Sequence, residues 1–336
     1  MITAYARVNG RIVATPYMIG EALPEDMLWL DMLNPDENER AVVAAVLNLN
    51  LPTRSQMAEI EASSRLRVDD EAIYLTTDIL VGAETLNPIS NDLTIVVSST
   101  CLLTMRYSEP HAIAIFAHRI QQQPLLFATL ADGLMNLLDA IVDRTADVLE
   151  MVGRHVDELS RQIFHDSEFV VESTGVKPAK GRKRKEKHLQ QILIGIGQAG
   201  EINHKIRDSI SSMIRLATFL GPLLTHKLSK EQLKKFRALE RDLRSLSEHA
   251  QFSAHETSFI LDATLGQINI EQNAIIKIFS VMAVVFMPPT LFASIWGMNF
   301  HNIPELSLTY GYYAALSVMV VSAILPLAYF KHRGWL

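Results

Sequence analysis

Asn273, Ser280, Met287 and Ser294 recur every seven residues in a stretch otherwise dominated by Ile, Val, Phe, Ala and Met. Sevenfold spacing keeps side chains on one face of a helix, and Ile276, Ala283 and Thr290 fill the same face at helical steps. Such a stripe, repeated around a ring of helices, lines a narrow pore with amide and hydroxyl groups. A packing face, whose small residues let helices approach closely, accounts for the same stripe. Other chemistries have less to stand on. There is no phosphate-binding glycine loop, so coupling to ATP is not expected, nor is a nucleic-acid partner or a cofactor. No closely spaced Cys and His ligands appear, and the single cysteine, Cys101, can form no intramolecular disulfide and reads as a buried, inert thiol.

The elements that hold this stripe are membrane spans. Between Lys277 and Lys331 the only formally charged side chain is Glu305. Two apolar runs, 278–296 and 312–330, each come close to the ~20 residues a helix needs to cross ~30 Å of hydrocarbon. The flanks fix orientation. Lys277 precedes the first span and Lys331-His332-Arg333 follows the second, whereas the loop 297–311 has no Lys or Arg, so both termini face the cytoplasm. Residues 1–20 lack a continuous apolar run and read as strand rather than signal peptide. Trp296 and the cluster Tyr310, Tyr312, Tyr313 read as interfacial anchors.

The remainder divides by pattern. Residues 1–107 form a mixed α/β domain, with strands expected at 2–8, 27–32, 72–80 and 93–106. Asn34-Pro35-Asp36 opens a helix running to Leu49, with Pro35 suited to its first turn. From about Ser108 the apolar spacing becomes helical, as in Leu134, Leu137, Leu138, Ile141, Val148 and Val152. This helical region, 108–228, has two breaks: a polar, basic loop at 172–188 and Gly221-Pro222. Ser229 and Gln232 then make a capping box for a stalk helix, 229–277, that continues into the first span. Gly266 costs only about 1 kcal/mol in a helix interior and need not interrupt it.

Gly297-Met298-Asn299-Phe300, followed by Pro304-Glu305-Leu306 between two carboxy-terminal spans and by an end reading Tyr329-Phe330-Lys331-His332-Arg333-Gly334-Trp335-Leu336, resembles the CorA family of magnesium and cobalt channels. The likeness extends to Ile268-Asn269-Ile270-Glu271-Gln272-Asn273, to Trp29-Leu30-Asp31, to Asn34-Pro35-Asp36 with Glu39-Arg40, and to Glu59-Ile60-Glu61-Ala62-Ser63. It implies a funnel-shaped homopentamer: an α+β cytosolic domain, a helical middle, a long stalk continuing into the pore-lining span 278–296, an external loop 297–311, a second span 312–330 and a basic tail 331–336. It also implies a bacterial inner membrane.

Mg2+ sheds its water reluctantly, so a pathway that recognises the hydrated ion avoids replacing its whole shell. The Asn299 amide and the Gly297 carbonyl, contributed once per subunit, can accept hydrogen bonds from the ion's waters without the grip of carboxylates. The resemblance makes Gly297, Met298 and Asn299 the external selectivity site. It places Asn273, Ile276, Phe279, Ser280, Met287 and Thr290 along the pore or its constrictions, where apolar rings close by dewetting. An inside-negative potential of 100 mV favours entry of a divalent ion by about 4.6 kcal/mol, so no pump is needed. In the family, Mg2+ bound between subunits shuts the channel from the cytosol. Asp242, in Arg241-Asp242-Leu243, is the best stalk candidate for that regulatory site by motif, although an ordinary solvated helix acid is the default reading of it.

Two departures from the family pattern stand out. His301 follows the Gly-Met-Asn-Phe run where an acid is common, leaving Glu305 as the only carboxylate available to attract cations to the outer loop. Lys177, Lys180, Arg182, Lys183, Arg184, Lys185 and Lys187 crowd the middle break, where a solvated loop competes with contact to anionic lipid. Transport of Mg2+, with Co2+ or Ni2+, leads; a zinc transporter of the related ZntB branch and a membrane-anchored cation-sensing scaffold are the alternatives.

Overall fold

The computed structural model describes residues 1–59, 61–69, 72–82, 88–171, 179–299 and 309–335, with backbone alone for 62, 165–171 and 179–187. The chain divides into two units, Met1–Leu261 and Asp262–Leu336.

The first unit is built on one sheet of seven strands: β1 Ile2–Val8, β2 Arg11–Tyr17, β3 Met27–Leu33, β4 Leu66–Val68, β5 Ala72–Val81, β6 Ile89–Ser98 and β7 Leu102–Arg106. Their order is β2-β1-β3-β7-β6-β5-β4, antiparallel except where β3 meets β7. β1 and β2 are joined by Asn9 and Gly10, both at positive φ (51° and 76°), the geometry of a two-residue hairpin turn. The run 93–106 is not one strand. It folds into β6 and β7 around Ser98, whose Oγ accepts from the amides of Thr100 (3.2 Å) and Cys101 (3.0 Å). Cys101 is fully buried there, and burial raises its thiol pKa, so it is held as an inert thiol.

Strand alternation sends side chains to two cores. Leu30, Met32, Tyr74, Val96, Leu103 and Met105 pack with Val43 of α1 (Glu37–Leu47) and Met57 of α2 (Arg54–Met57). Asp36 caps α1, exchanging bonds with Glu39; Pro35 therefore precedes the cap instead of standing in the first turn. A short α3, Ala62–Arg65, leads into β4. On the opposite face Trp29, Leu75, Ile79, Leu93, Ile95 and Leu102 meet α4 (His111–Gln122), a 3-10 turn Pro124–Phe127, α5 (Leu130–Val171) and α6 (Ala179–Leu224). Leu134, Leu137, Leu138, Ile141, Val148 and Val152 of α5 are all buried, as their spacing predicts. Each such side chain contributes about 1.5–3 kcal/mol.

Because β4 pairs with only residues 73–75 of β5, the rest of that edge needs other partners. α6 supplies them. Ser212 Oγ accepts from the Asp78 amide at 3.2 Å, and Ser209 Oγ donates to the Asp78 carbonyl at 2.8 Å.

Two expected breaks differ from the observed helices. α6 begins at Ala179, so Lys180 to Lys187 belong to its first turns and not to a loop; Lys, Arg and Glu are good helix formers. Lys177 lies outside the described residues. At the other end α6 passes through Gly221 and Pro222 to Leu224. Pro222 has no N–H to offer the Thr218 carbonyl, but with only the last residues of the helix beyond it the chain stays helical, and the Thr225 amide closes on the Gly221 carbonyl at 3.1 Å.

α7, Lys230–Trp296, is a single helix of 67 residues. Its capping box is Ser229 with Gln232: the Ser229 amide donates to Gln232 Oε1 (3.0 Å) and the Gln232 amide to Ser229 Oγ (3.2 Å). Gln232 Nε2 also donates to Thr129 Oγ1 (3.1 Å) and Asp132 Oδ1 (3.0 Å), the residues that cap α5, so one side chain ties two helix starts together.

The second unit holds the remainder of α7 and α8, Gly311–His332. Gly266 lies within α7 and does not interrupt it. Pro288 and Pro289 also lie inside the helix, which leaves the carbonyls of Val284 and Val285 without their ladder donors.

Candidate ion pathway

The apolar part of α7 and the whole of α8 are the two described helices long and apolar enough to cross a membrane. In α7 the burial is one-sided. Within its apolar part Val281 (4% exposed) and Val285 (7%) are the buried positions, with Pro288, Pro289, Phe292 and Trp296 partly covered on the same side. Asn273, Ile276 (60%), Ser280, Met287 (68%) and Thr290 are exposed on the other. At ~100° per residue the centres of these faces lie roughly 150° apart. Phe279 is exposed on the flank between them. The residues of the sevenfold stripe are thus free to meet other molecules along the whole span. One hydroxyl is already engaged: Thr290 Oγ1 donates to the Phe286 carbonyl at 2.7 Å, which leaves its methyl as the more available surface.

At the end of the span the backbone is tight. The Gly297 amide donates to the Ala293 carbonyl at 2.9 Å, and the Met298 amide to that of Ile295 at 3.3 Å. A Cβ on Gly297 would stand 2.9 Å from the Ala293 oxygen, closer than real Cβ contacts, so glycine is required by space alone. Met298 and Asn299 follow it, both exposed. Phe300, His301 and Glu305 lie outside the described residues.

The far ends of the two spans meet. Lys277, at the start of the apolar part of α7, lies 5.8 Å over the ring of Trp335, which follows α8. Gly334, at φ 70°, turns the chain back, and Trp335 stacks on Phe330 with centroids 5.3 Å apart. Arg333 lies 5.7 Å over Tyr329. Aromatic and basic side chains gathered at one level are those that anchor a hairpin at a membrane surface.

Asp242, the regulatory candidate, lies in the first unit and lines a small pocket of about 190 Å³ with Asp139 and Asn136 of α5 and Lys235 of α7. Sequence reasoning missed Asp139, since only the packing of α5 on α7 brings it there. Its carboxyl pKa is raised, first by burial and then by Asp143 and Asp242, against the pull of Arg119 and Lys235. Among the described residues no three His, Cys, Asp or Glu side chains are grouped to hold a metal ion.

Residues 24–332 match the family model described as CorA-like Mg2+ transporter protein. Over 336 residues, all of both chains, the sequence is 31% identical to the magnesium transport protein CorA of Haemophilus ducreyi. The fold is similar to the complete structure of the CorA magnesium transporter from Methanocaldococcus jannaschii, with TM-score 0.73 at 19% identity, covering 100% of this chain and 99% of that one. It is also similar to the cytoplasmic domain of ZntB from Vibrio parahaemolyticus, with TM-score 0.54 at 11% identity over 80% of this chain and 97% of that one.

Proposed function

This chain belongs to the CorA-like Mg2+ transporter family, a family of membrane ion transporters and not of enzymes, and from that premise we propose how it moves its ion. Five copies surround one pathway, lined by the exposed face of α7. The observation that carries this reading is the unbroken exposure of Asn273, Ile276, Ser280, Met287 and Thr290 opposite the buried Val281 and Val285. At the outer mouth, Gly297 and Asn299 present a carbonyl and an amide oxygen to the waters of a hydrated divalent ion, and Met298 completes the ring. Mg2+ is the main cargo; Co2+ and Ni2+, whose hydrated ions are similar in charge and size, pass as well. Glu305 draws cations toward the mouth.

Ile276, Phe279 and Met287 narrow the pathway with apolar rings that empty of water when they close. Asn273 returns a polar ring at the inner end. The membrane potential drives entry, and the contact of Lys277 with Trp335 supports a hairpin whose two ends, and so both termini, face the cytoplasm. Cytosolic Mg2+ closes the channel through carboxylates of the first unit, Asp242 among them.

The ZntB-like reading has the shared fold of the cytoplasmic domain and His301 in its favour. It is the second reading because the intact Gly297-Met298-Asn299 run and the full-length relative named for magnesium transport favour the first. Flux into proteoliposomes under an imposed potential, with Mg2+, Co2+, Ni2+ and Zn2+ compared, separates them. Zn2+ flux without Mg2+ flux overturns the proposal.

A further inference from the structure

The proposed pathway makes no use of the run Lys180 to Lys187, which stands where a helix accommodates it least. Six of these eight residues are Lys or Arg, against one acid, Glu186, and they form the first turns of α6. The amino end of a helix is the positive end of its dipole, and like charges three and four residues apart repel. The run therefore costs α6 stability unless negative charge meets it from outside. The last turns of α5 offer two acids, Asp166 and Glu168, too few to balance it. At ~100° per residue Lys180, Lys183, Arg184 and Lys187 share one face of α6. The buried positions that follow, Leu189, Ile192, Ile196 and Ala199, lie roughly 150° around the helix from it, while Ile194, 56% exposed, continues the basic face.

The register of α6 on α7 gives the run its reach. A Cβ on Gly221 would lie 3.7 Å from Phe236, and one on Gly200 3.9 Å from Thr257. Twenty-one residues separate these two contacts on each helix, so α6 and α7 run antiparallel in even step. Twenty further residues lead back along α6 from Gly200 to Lys180. Twenty lead on along α7 from Thr257 to Lys277, the last charge before the apolar part of that single helix. Each length is about 30 Å at ~1.5 Å per residue.

We infer that the basic first turns of α6 dock on the anionic lipid headgroups of the leaflet that α7 enters at Lys277. The equal lengths bring the run within reach of that surface, and its basic face, turned from the buried side of α6, is free to meet it. Lys277, Lys331 and Arg333 already mark the surface with positive charge. Cations drawn to a level that holds cations need an anionic sheet to gather on, and a membrane rich in anionic lipid is such a sheet. The attraction fades within a Debye length of about 8–10 Å, so it fastens the tip of α6 and leaves the rest of the helix in water.

The test is a fluorophore at the tip of α6. Gly181→Cys in full-length protein carries the label in proteoliposomes, the native Cys101 is buried and takes none, and lipid spin-labelled at its headgroup is the quencher. Quenching in vesicles of equal parts phosphatidylcholine and phosphatidylglycerol is expected to exceed that in phosphatidylcholine alone at least about twofold, and to fall to the same level in high salt. Each charge near an anionic surface is worth about fivefold in association, so replacing Lys180, Lys183, Arg184 and Lys187 by Gln is expected to abolish the difference. Replacing the three lysines by Arg keeps the charge and is expected to quench like the parent, which separates charge from folding. Equal quenching in the two lipids, or a Gln variant that quenches like the parent, overturns the inference. A fluorescence change on adding inorganic phosphate to phosphatidylcholine vesicles, as large as that given by phosphatidylglycerol, assigns the run to a soluble anion and overturns the membrane surface. Mg2+ flux is read in the same vesicles, so protein that transports Mg2+ without lipid-dependent quenching overturns the docking and leaves the transport reading intact.

Discussion

Asp31 and Arg106 meet inside the sheet as a two-pronged ion pair, Arg106 Nε on Oδ1 at 3.1 Å and a terminal guanidinium nitrogen on Oδ2 at 2.7 Å. They stand on β3 and β7, the one parallel pair of the sheet. Thr104 Oγ1 donates to the same Oδ1 at 2.6 Å and accepts from Trp29 Nε1 at 2.9 Å, while Arg106 also reaches the Ser108 carbonyl at 2.7 Å. The Trp29-Leu30-Asp31 run is thereby accounted for by structure: a buried charge, its counter-charge and the hydrogen bonds that use up their remaining atoms.

Removing one partner leaves the other charged and buried. Asp31→Ala is therefore expected to destabilise the first unit by about 3–5 kcal/mol, which denaturant unfolding of the full-length protein measures. A loss under 1 kcal/mol means that water reaches Arg106.

How much of this was legible in the sequence depends on how local the signal was. The capping box at Ser229, the apolar spacing of α5 and the two long apolar helices are written in short patterns, and the structure has them. β2 is weakly marked although Asn9-Gly10 is a strong hairpin signal, because its residues are mostly exposed and its apolar alternation is weak. Residues 93–106 read as one strand because the reversal at Ser98 uses Ser and Thr in place of Gly or Pro. Proximity across helices has no local signature at all. Asp139 beside Asp242 needs the packing of α5 on α7.

Asp92 faces Asp78 across β5 and β6, and Arg65 bridges them at 3.1 Å and 2.9 Å. Its carboxyl is pushed up to about 6 by burial, with Asp78 adding to the rise and Arg65 opposing it. The folded chain thus binds this proton more tightly than the unfolded one, whose carboxyl lies near 4. The stability this gives is fully present below about pH 4 and lost as pH rises through about 6. Asp92→Asn is expected to flatten the slope of melting temperature against pH between 4 and 6 and to stabilise the protein above pH 7 by roughly 1–3 kcal/mol. An unchanged slope assigns the titration elsewhere.

Asn299→Ala is expected to abolish Mg2+ flux while leaving the oligomer assembled, because the side chain is exposed and packs in no core. Gly297→Ala acts differently. Its Cβ forces the helix end away from the Ala293 carbonyl, so flux is expected to fall at least tenfold, and Ser in place of Gly gives no rescue. Normal flux in correctly assembled Asn299→Ala removes the proposed filter.

Asp139 and Asp242 are the two carboxylates that line the α5–α7 pocket. A divalent ion closes the channel only if it binds the closed form better than the open one, so removing a ligand should raise the cytosolic Mg2+ needed for closure. Asp242→Ala is expected to raise the half-inhibiting concentration several-fold, and Asp139→Asn together with it to raise it further. Lys235 lines the same pocket and competes with the ion, so Lys235→Gln is expected to shift the curve the other way. Flux from proteoliposomes preloaded with graded internal Mg2+ reads all three. If Asp242→Ala and the double variant inhibit like the parent, the pocket is a structural junction between α5 and α7, and the regulatory carboxylates lie elsewhere in the first unit.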